Sequence, residues 1–391
     1  MALTEYQELA CSSRGGGRLV SAAAGSGKTM VLVERLMRYV DEGSDIDDFL
    51  VVTYTRAAAG ELRSRILSAL NERISRRPHD RALRRQTELC VRAGIGTIDS
   101  LCGRFLRENA HLAGIAPDFK VVEPDRADAI LSGVLDRMMD GIYETLDSHP
   151  GRKALIDSVG SGRDDAALTD LLLRLHAAVQ SHPHPEEWLR AQRAALSVPA
   201  GTDAGKTVWG EYVLSRTRAQ AAYWADRLET VLRQIGRPGS EKLLKAYGDS
   251  LARTAECLRA VETAAATGWE PVRAVLPVEY PRFGSYRGDD AASAESVKTA
   301  RNACRKITDR WGHVFADDSA SLLSEIDATA PALGALLELV ELLDRAYAAE
   351  KRRQGVVDFS DQEHLMLRLL EDGSNGLAAS LSKRYTELLV D

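Results

Sequence analysis

Ser21-Ala22-Ala23-Ala24-Gly25-Ser26-Gly27-Lys28-Thr29 is the stretch on which the reading of this chain turns. Before it stands Arg18-Leu19-Val20-Ser21, a short strand candidate. After it, Thr29 to Val40 places Val33, Leu36, Met37 and Val40 at helical spacing. A glycine-rich turn between a strand and a helix is a cradle for phosphate. Gly25 and Gly27 let backbone N–H groups turn inward, and the helix N-terminus adds its dipole. Lys28 can reach the β- and γ-phosphates, and the Thr29 hydroxyl can ligate Mg²⁺. Ala22 occupies the place of the first glycine in the strict GxxxxGK[ST] pattern, so the strand–loop–helix setting carries the assignment. The expected nucleoside triphosphate site is therefore Ala22, Ala23, Ala24, Gly25, Ser26, Gly27, Lys28 and Thr29, with Lys28 as the catalytic cation.

A second GKT, at Gly205-Lys206-Thr207, reads differently. Its loop from Gly201 is one residue short, and the preceding Leu196-Ser197-Val198-Pro199 makes a poor central strand because Pro199 cannot donate to a ladder.

Outward from the loop, Phe49-Leu50-Val51-Val52-Thr53-Tyr54 is a continuous apolar, β-branched run of the kind buried on both faces of a sheet. A helix with Leu62, Ile66, Leu70 and Ile74 at i, i+4 steps follows. Strands separated by such helices imply βαβ units and a parallel sheet. A phosphate loop also needs an acid at the tip of a neighbouring strand to hold Mg²⁺. Glu387-Leu388-Leu389-Val390-Asp391 has the form of a buried strand ending in that acid. If Asp391 is the metal acid, the loop's strand and this one share a sheet, and the Ala/Leu/Arg/Glu-rich helical stretch between them is an insertion. The expected organisation is 1–117 as the first part of a P-loop domain, 118–350 as a helical insertion and 351–391 as the return. Breaks are expected at Gly160-Ser161-Gly162, Ser181 to Pro185, Pro199-Ala200-Gly201 and the irregular Gly268 to Gly288. A strand ending at its metal acid is an improbable place for a chain to stop, so Asp391 is expected to lie inside a longer protein. The glutamate that would activate the attacking water would then follow Asp391, and these 391 residues alone are expected not to hydrolyse.

Composition narrows the class. The 391 residues are 45% hydrophobic and 28% charged, with 12 Pro and 30 Gly, which excludes collagen-like, disordered and disulfide-scaffold chains. No apolar run reaches the roughly 18 residues of a membrane span, and Met1–Ala10 has no basic region of a signal peptide. Five cysteines, odd in number and never in CxxC spacing, read as reduced thiols of a cytoplasmic protein without a structural metal. The net charge of −6 argues against coating nucleic acid by bulk charge, but phosphate binding needs only a patch. Ten arginines and four acids lie between Arg56 and Arg92, as a basic track or as a solvated helix face.

Taken in order, the motifs resemble the UvrD/Rep-like group of superfamily 1 helicases. Thr4-Glu5-Tyr6-Gln7 resembles its adenine-reading glutamine motif, and Ala22 to Thr29 matches its AxxGxGKT loop. Thr53-Tyr54-Thr55-Arg56-Ala57-Ala58-Ala59-Gly60-Glu61-Leu62-Arg63 resembles its first single-strand-binding motif, and Thr97-Ile98-Asp99-Ser100-Leu101-Cys102 the TxHSF-type motif after it. The resemblance narrows to the AddA subunit of the AddAB helicase–nuclease. It does so through Val31-Leu32-Val33-Glu34-Arg35, Pro117-Asp118-Phe119-Lys120-Val121, Gly162-Arg163-Asp164-Asp165, Ser181 to Leu189, and Val357-Asp358-Phe359-Ser360-Asp361. It is thin from about 200 to 345.

The resemblance implies an α/β, RecA-like P-loop NTPase parallel sheet with a large all-helical insertion. It implies ATP and Mg²⁺ as cofactors, Gln7 reading adenine, Thr29 and Asp391 on the metal, and Thr53, Thr55, Arg56, Thr97 and Ser100 on single-stranded DNA. It further implies an ATP-dependent helicase/exonuclease subunit of double-strand break repair, acting on single strands and duplex ends beside an AddB-like partner. Two departures matter. Arg56 replaces the usual Asn and still suits phosphate. Asp99 replaces a frequent His and cannot donate to phosphate, while Leu101 removes a stacking ring. Glu61 and Arg63 read as helix-surface or structural residues, Asp358 and Asp361 as a helix start, the five tryptophans as core, and His182 and His184 as a polar turn. Two other classes remain open: a non-hydrolysing fragment that binds ATP or single-stranded DNA, and a P-loop enzyme of small molecules.

Overall fold

The structure, a computed structural model, describes residues 3–23, 25–159, 166–199 and 201–391. Expectations for Ala24, for Gly160-Ser161-Gly162 with Arg163-Asp164-Asp165, and for Ala200 lie outside the described residues.

The chain divides into two compact units: 1–140 with 180–185 and 343–391, and 141–179 with 186–342. The first and last changeovers fall inside the helices Pro124–Glu144 and Ser319–Gln354, whereas the sequence changes character at 117/118 and 350/351.

The first unit is built on a parallel sheet in the order β2-β1-β5, with β1 Phe49–Thr53, β2 Gly94–Thr97 and β5 Glu387–Val390. Register pairs Thr53 with Thr97 and Val52 with Val390, so the three strands end together. Helices α1 (Glu5–Ser12), α2 (Lys28–Asp41), α3 (Arg56–Arg76), α4 (Arg81–Arg92) and α5 (Ile98–Glu108) precede or follow these strands. The alternation of β1 explains why it reads as an unbroken apolar run. Phe49 and Val51 join Leu36, Met37, Leu62, Ile66 and Leu70 in one core, while Val52 joins Leu101, Phe105, Met366 and Leu369 in the other. Two short strands, β3 (Lys120–Val121) and β4 (Val356–Val357), pair in parallel, so the points where the long helical stretch departs and returns lie side by side.

Arg18-Leu19-Val20-Ser21 departs from expectation: it is not a strand, and Leu19 is 96% exposed. Short apolar residues suggest a strand, but a strand needs a paired neighbour, and this segment has none among the described residues. β5 is a strand as expected but not a buried one. Among the described residues it pairs only with β1, and Leu388 and Val390 are about 60% exposed.

The second unit is helical. Val208–Ile235 and Glu241–Ala265, joined by a short turn, pack Ala221, Ala225 and Leu228 into one core with Leu251, Ala255 and Leu258. Trp269 and Trp311 are buried in that core, with Trp209 and Trp224 packed against it. The irregular stretch expected from Gly268 begins as a helix, Trp269–Val275. The second GKT forms a single 3-10 turn, Ala204–Lys206, whose Gly205 N–H is taken by Asp203 Oδ1 at 2.8 Å. Among the described residues no helix is long and apolar enough to cross a membrane.

Candidate functional site

The phosphate loop is shaped by its two glycines. Gly25 has φ 77° and Gly27 φ 89°, left-handed values that favour glycine and turn the chain into α2. Lys28, the first residue of α2, folds its ammonium back over the loop, with Nζ 2.9 Å from the Ala22 carbonyl and 3.0 Å from that of Ala23. The Ser26 hydroxyl donates to the Ala23 carbonyl at 2.7 Å, closing the turn.

Gln7 lies against the same loop. Its Nε2 donates to the Ser26 carbonyl at 3.0 Å, and its Oε1 accepts the Thr4 N–H at 3.0 Å in a capping box that starts α1. Both amide atoms are thus already engaged. The residue that resembles an adenine reader ties α1 to the phosphate loop.

Thr29 and Asp391 meet although 362 positions separate them: the Thr29 hydroxyl lies 3.3 Å from Asp391 Oδ2. Asp391 follows β5, and its N–H extends the ladder to the Val52 carbonyl at 2.9 Å. A hydroxyl and a carboxylate side by side are hard oxygen donors, and Mg²⁺ takes few protein ligands, completing its shell with water and phosphate oxygens. The donor set fits Mg²⁺.

The residues resembling strand-binding motifs divide into two groups. Arg56, Thr97 and Ser100 line a cavity of about 590 Å³ together with Tyr54, Asp99, Arg107, Phe359 and Gln362. Thr53 and Thr55 do not line it. Thr53 is 1% exposed and donates to the Thr55 carbonyl, while the Thr55 hydroxyl caps α3 by accepting the Ala58 N–H. Thr97 caps α5 in the same way for Ser100, whose own hydroxyl returns to the Thr97 carbonyl at 2.8 Å. These hydroxyls hold strand-to-helix turns, the commonest use of Thr and Ser at a helix start. Arg56 and Arg107 are exposed on the cavity. The Arg107 guanidinium also stacks 4.7 Å from the centre of the Phe119 ring. Gln362 is 2% exposed, and its Nε2 finds no acceptor among the described residues.

Sequence reasoning does not reach Tyr54, Arg107, Phe359 and Gln362 as site residues. Tyr54 lies inside a recognised motif and its 78% exposure marks it as more than a strand end; the other three join the site only through the fold. The basic track proves largely paired. Arg65 meets Glu61, Arg73 and Arg77 meet Asp41, Arg85 meets Asp45, and Arg63 donates to the Cys90, Val91 and Ile95 carbonyls. His182 gives its carbonyl to His364, and His184 lies 3.3 Å from Glu371.

Behind the cavity wall, Lys351 is 5% exposed and holds both Asp358 and Asp361, each at 2.7 Å. Asp358 caps the helix Phe359–Glu371 and keeps a carboxyl below the usual range. Burial alone would raise it, but the Lys351 ammonium outweighs that cost. In Asp361 burial wins and the carboxyl is raised.

The profile of the UvrD/REP helicase N-terminal domain matches residues 3–391. The chain is 34% identical over 404 residues to the A subunit of the ATP-dependent helicase/nuclease of Acetivibrio thermocellus, covering 99% of this chain and 32% of that protein. It is 34% identical over 408 residues to the like-named protein of Desulforudis audaxviator (99% and 32%), and 32% identical over 420 residues to that of Heliobacterium modesticaldum (99% and 30%). The chain spans about a third of the length of these relatives. With its phosphate loop, its parallel sheet and its motifs in register, the chain belongs to the UvrD/REP helicase N-terminal domain family.

Proposed function

We propose that the chain is the ATP-binding motor portion of an AddA-like ATP-dependent DNA helicase/nuclease that works in the cytoplasm on broken DNA ends, for repair by recombination. The observation that carries this is the meeting of Thr29 with Asp391 beside a loop whose lysine and glycines suit a triphosphate. In this reading 1–117 and 351–391 form one motor domain, interrupted by 118–350; the β3–β4 pairing supports it.

Lys28, now resting on loop carbonyls, swings to the β- and γ-phosphates when ATP binds, exchanging neutral acceptors for charged ones. The start of α2 at Lys28 and Thr29 offers its N–H groups to the same oxygens, and the helix dipole adds to their pull. Thr29 and Asp391 hold Mg²⁺, which when bound neutralises phosphate charge. Gln7 keeps one amide N–H on the Ser26 carbonyl and has a second N–H and a second oxygen lone pair for adenine, which couples base recognition to loop shape.

Single-stranded DNA takes the cavity at the carboxyl ends of β1 and β2, where open parallel sheets place ligands. Arg56 and Arg107 meet phosphates, and Tyr54 offers a ring for stacking. Thr53, Thr55, Thr97 and Ser100 act there by holding the turns that aim these groups. Asp99 and Glu123 line the same cavity and keep phosphate towards the arginines. A partner resembling AddB completes the assembly.

The test is strand separation by the full reading frame that carries this chain, assayed with Mg²⁺-ATP in the presence of its partner. ATP-dependent unwinding of duplex ends is expected. Nucleotide and DNA binding with no turnover would replace the helicase reading by that of a binding module.

A further inference from the structure

Arg35 closes the motif Val31-Leu32-Val33-Glu34-Arg35, yet nothing in the nucleotide chemistry uses it. It sits on α2, two turns beyond Lys28 and Thr29, and is 7% exposed. Its Nε donates to Glu387 Oε2 at 2.8 Å, and its Nη2 pairs with Glu387 Oε1. Its Nη1 donates to the Ala10 carbonyl at 2.7 Å. Glu387 opens β5, four residues before Asp391, and Ala10 lies on α1, three residues after Gln7. One planar side chain therefore joins the three elements that carry Gln7, Lys28 with Thr29, and Asp391.

Neighbouring contacts reinforce the α1 side of this junction. Glu8 on α1 pairs with both terminal nitrogens of Arg38, at 2.6 and 2.8 Å. Cys11 is fully buried with its thiol on the Val31 carbonyl, and the Tyr39 ring carries Arg14 at 4.0 Å. On the β5 side the ladder fixes the strand to β1 but not to α2. Leu389 packs against the core that holds Leu36 and Met37 of α2, and the polar ties to α2 are the Arg35–Glu387 pair at the strand's start and the Thr29–Asp391 contact at its end. The hydrogen bond to Glu387 also raises the Arg35 pKa, so the cation persists. A buried ion pair adds little to stability compared with apolar packing, but its fork geometry fixes relative position.

We infer that Arg35 is a positioning residue of the nucleotide site: it sets the register of β5 against α2, and so the approach of Asp391 to Thr29, while holding α1 and its glutamine against the loop. This rests on the reading of Thr29 and Asp391 as the Mg²⁺ pair. The experiment measures the affinity of the 391-residue chain for a fluorescent ATP analogue, with Mg²⁺ and with EDTA, alongside hydrogen exchange of the α1 amides.

Arg35→Met is expected to lose about 10- to 100-fold of the tightening that Mg²⁺ gives, the usual effect of removing a group that orients a metal ligand. Affinity in EDTA falls by much less, through the loosened Gln7 alone, and α1 exchanges faster. Arg35→Lys fails likewise, since one ammonium cannot serve the two Glu387 oxygens and the Ala10 carbonyl in one plane. The reversed pair, Arg35→Glu with Glu387→Arg, restores the Mg²⁺ effect but not α1 protection, because no donor then reaches Ala10. If Arg35→Met does not fold, Glu387→Gln reads the same ratio. A parent-like Mg²⁺ effect in Arg35→Met, or in Glu387→Gln where that variant must stand in, overturns the inference and leaves the nucleotide site intact. A parent chain whose ATP binding ignores Mg²⁺ overturns the metal reading, and this inference with it.

Discussion

Thr29 Oγ1 and Asp391 Oδ2 lie 3.3 Å apart at the two ends of a 362-residue interval, Asp391 carried by β5 on the sheet and Thr29 by α2, whose side chains share a core with β1 and Leu389. Thr29 is fixed by the start of α2 after a left-handed glycine, and Asp391 by its place one residue past β5. We therefore expect Thr29→Val and Asp391→Asn each to weaken ATP binding in Mg²⁺ by about 10- to 100-fold, at least as much as Arg35→Met, while changing it little in EDTA, one charged contact amounting to roughly 1.5–3 kcal/mol. Titration with a fluorescent nucleotide checks this; equal losses in both buffers would place the two residues outside the metal pair.

Lys351 is the cation that faces the buried carboxyls of Asp358 and Asp361. Asp358 has its pKa held down by Lys351, so its share of stability is present above about pH 4 and is lost as pH falls through the depressed folded value. Removing the cation by Lys351→Met leaves two buried carboxylates facing each other, and at least one then binds a proton near neutrality. The variant is expected to be less stable at pH 7.5 by about 3 kcal/mol and to recover part of that towards pH 5. Thermal melting across that range reads it. A variant curve running parallel to the parent's contradicts it.

The strand cavity should show its charge in salt. Arg56→Ala and Arg107→Ala are each expected to weaken binding of a labelled oligothymidine and to reduce the salt slope by about 0.7, one phosphate contact on a single strand. Thr53→Val should leave that slope unchanged, since its hydroxyl serves the Thr55 carbonyl. Anisotropy titrations at several salt concentrations measure both. An unchanged slope for both arginine variants would remove the cavity from the DNA path.

Cys102 lies beside this cavity's wall with its thiol pushed up to about 11, by burial first and then by Glu363 and Asp99. Its alkylation is expected to be slow at pH 8 and to rise about tenfold per pH unit to pH 10, because the thiolate is the reacting form. Peptide-resolved labelling follows it, and a plateau by pH 9 would show an ordinary thiol.

How much of the fold and site is legible in the sequence depends on the range of the interaction. The helix start after Gly27, β1 and α3 are local: glycines, an apolar run and i, i+4 spacing suffice, and each stands where the pattern places it. Arg18 to Ser21 has the same apolar look, but strand formation is decided by a neighbour, and Leu19 faces solvent. Thr53, Thr55 and Thr97 carry hydroxyls that suit phosphate equally well on paper; only the fold shows them spent on helix caps and turns. Phe359 and Gln362 stand some 250 residues from Arg107, and no spacing rule connects them. Arg35 is visible as a motif residue, but its two acceptors come from opposite ends of the chain.

The central claim is that the loop from Ala22 to Thr29 binds the triphosphate of ATP. The most direct measurement is Mg²⁺-ATP affinity of the parent against Lys28→Ala. Binding by the parent is expected, with a loss of at least about tenfold in the variant, the cost of a charged contact to phosphate. A Lys28→Ala chain that binds Mg²⁺-ATP as tightly as the parent would contradict it.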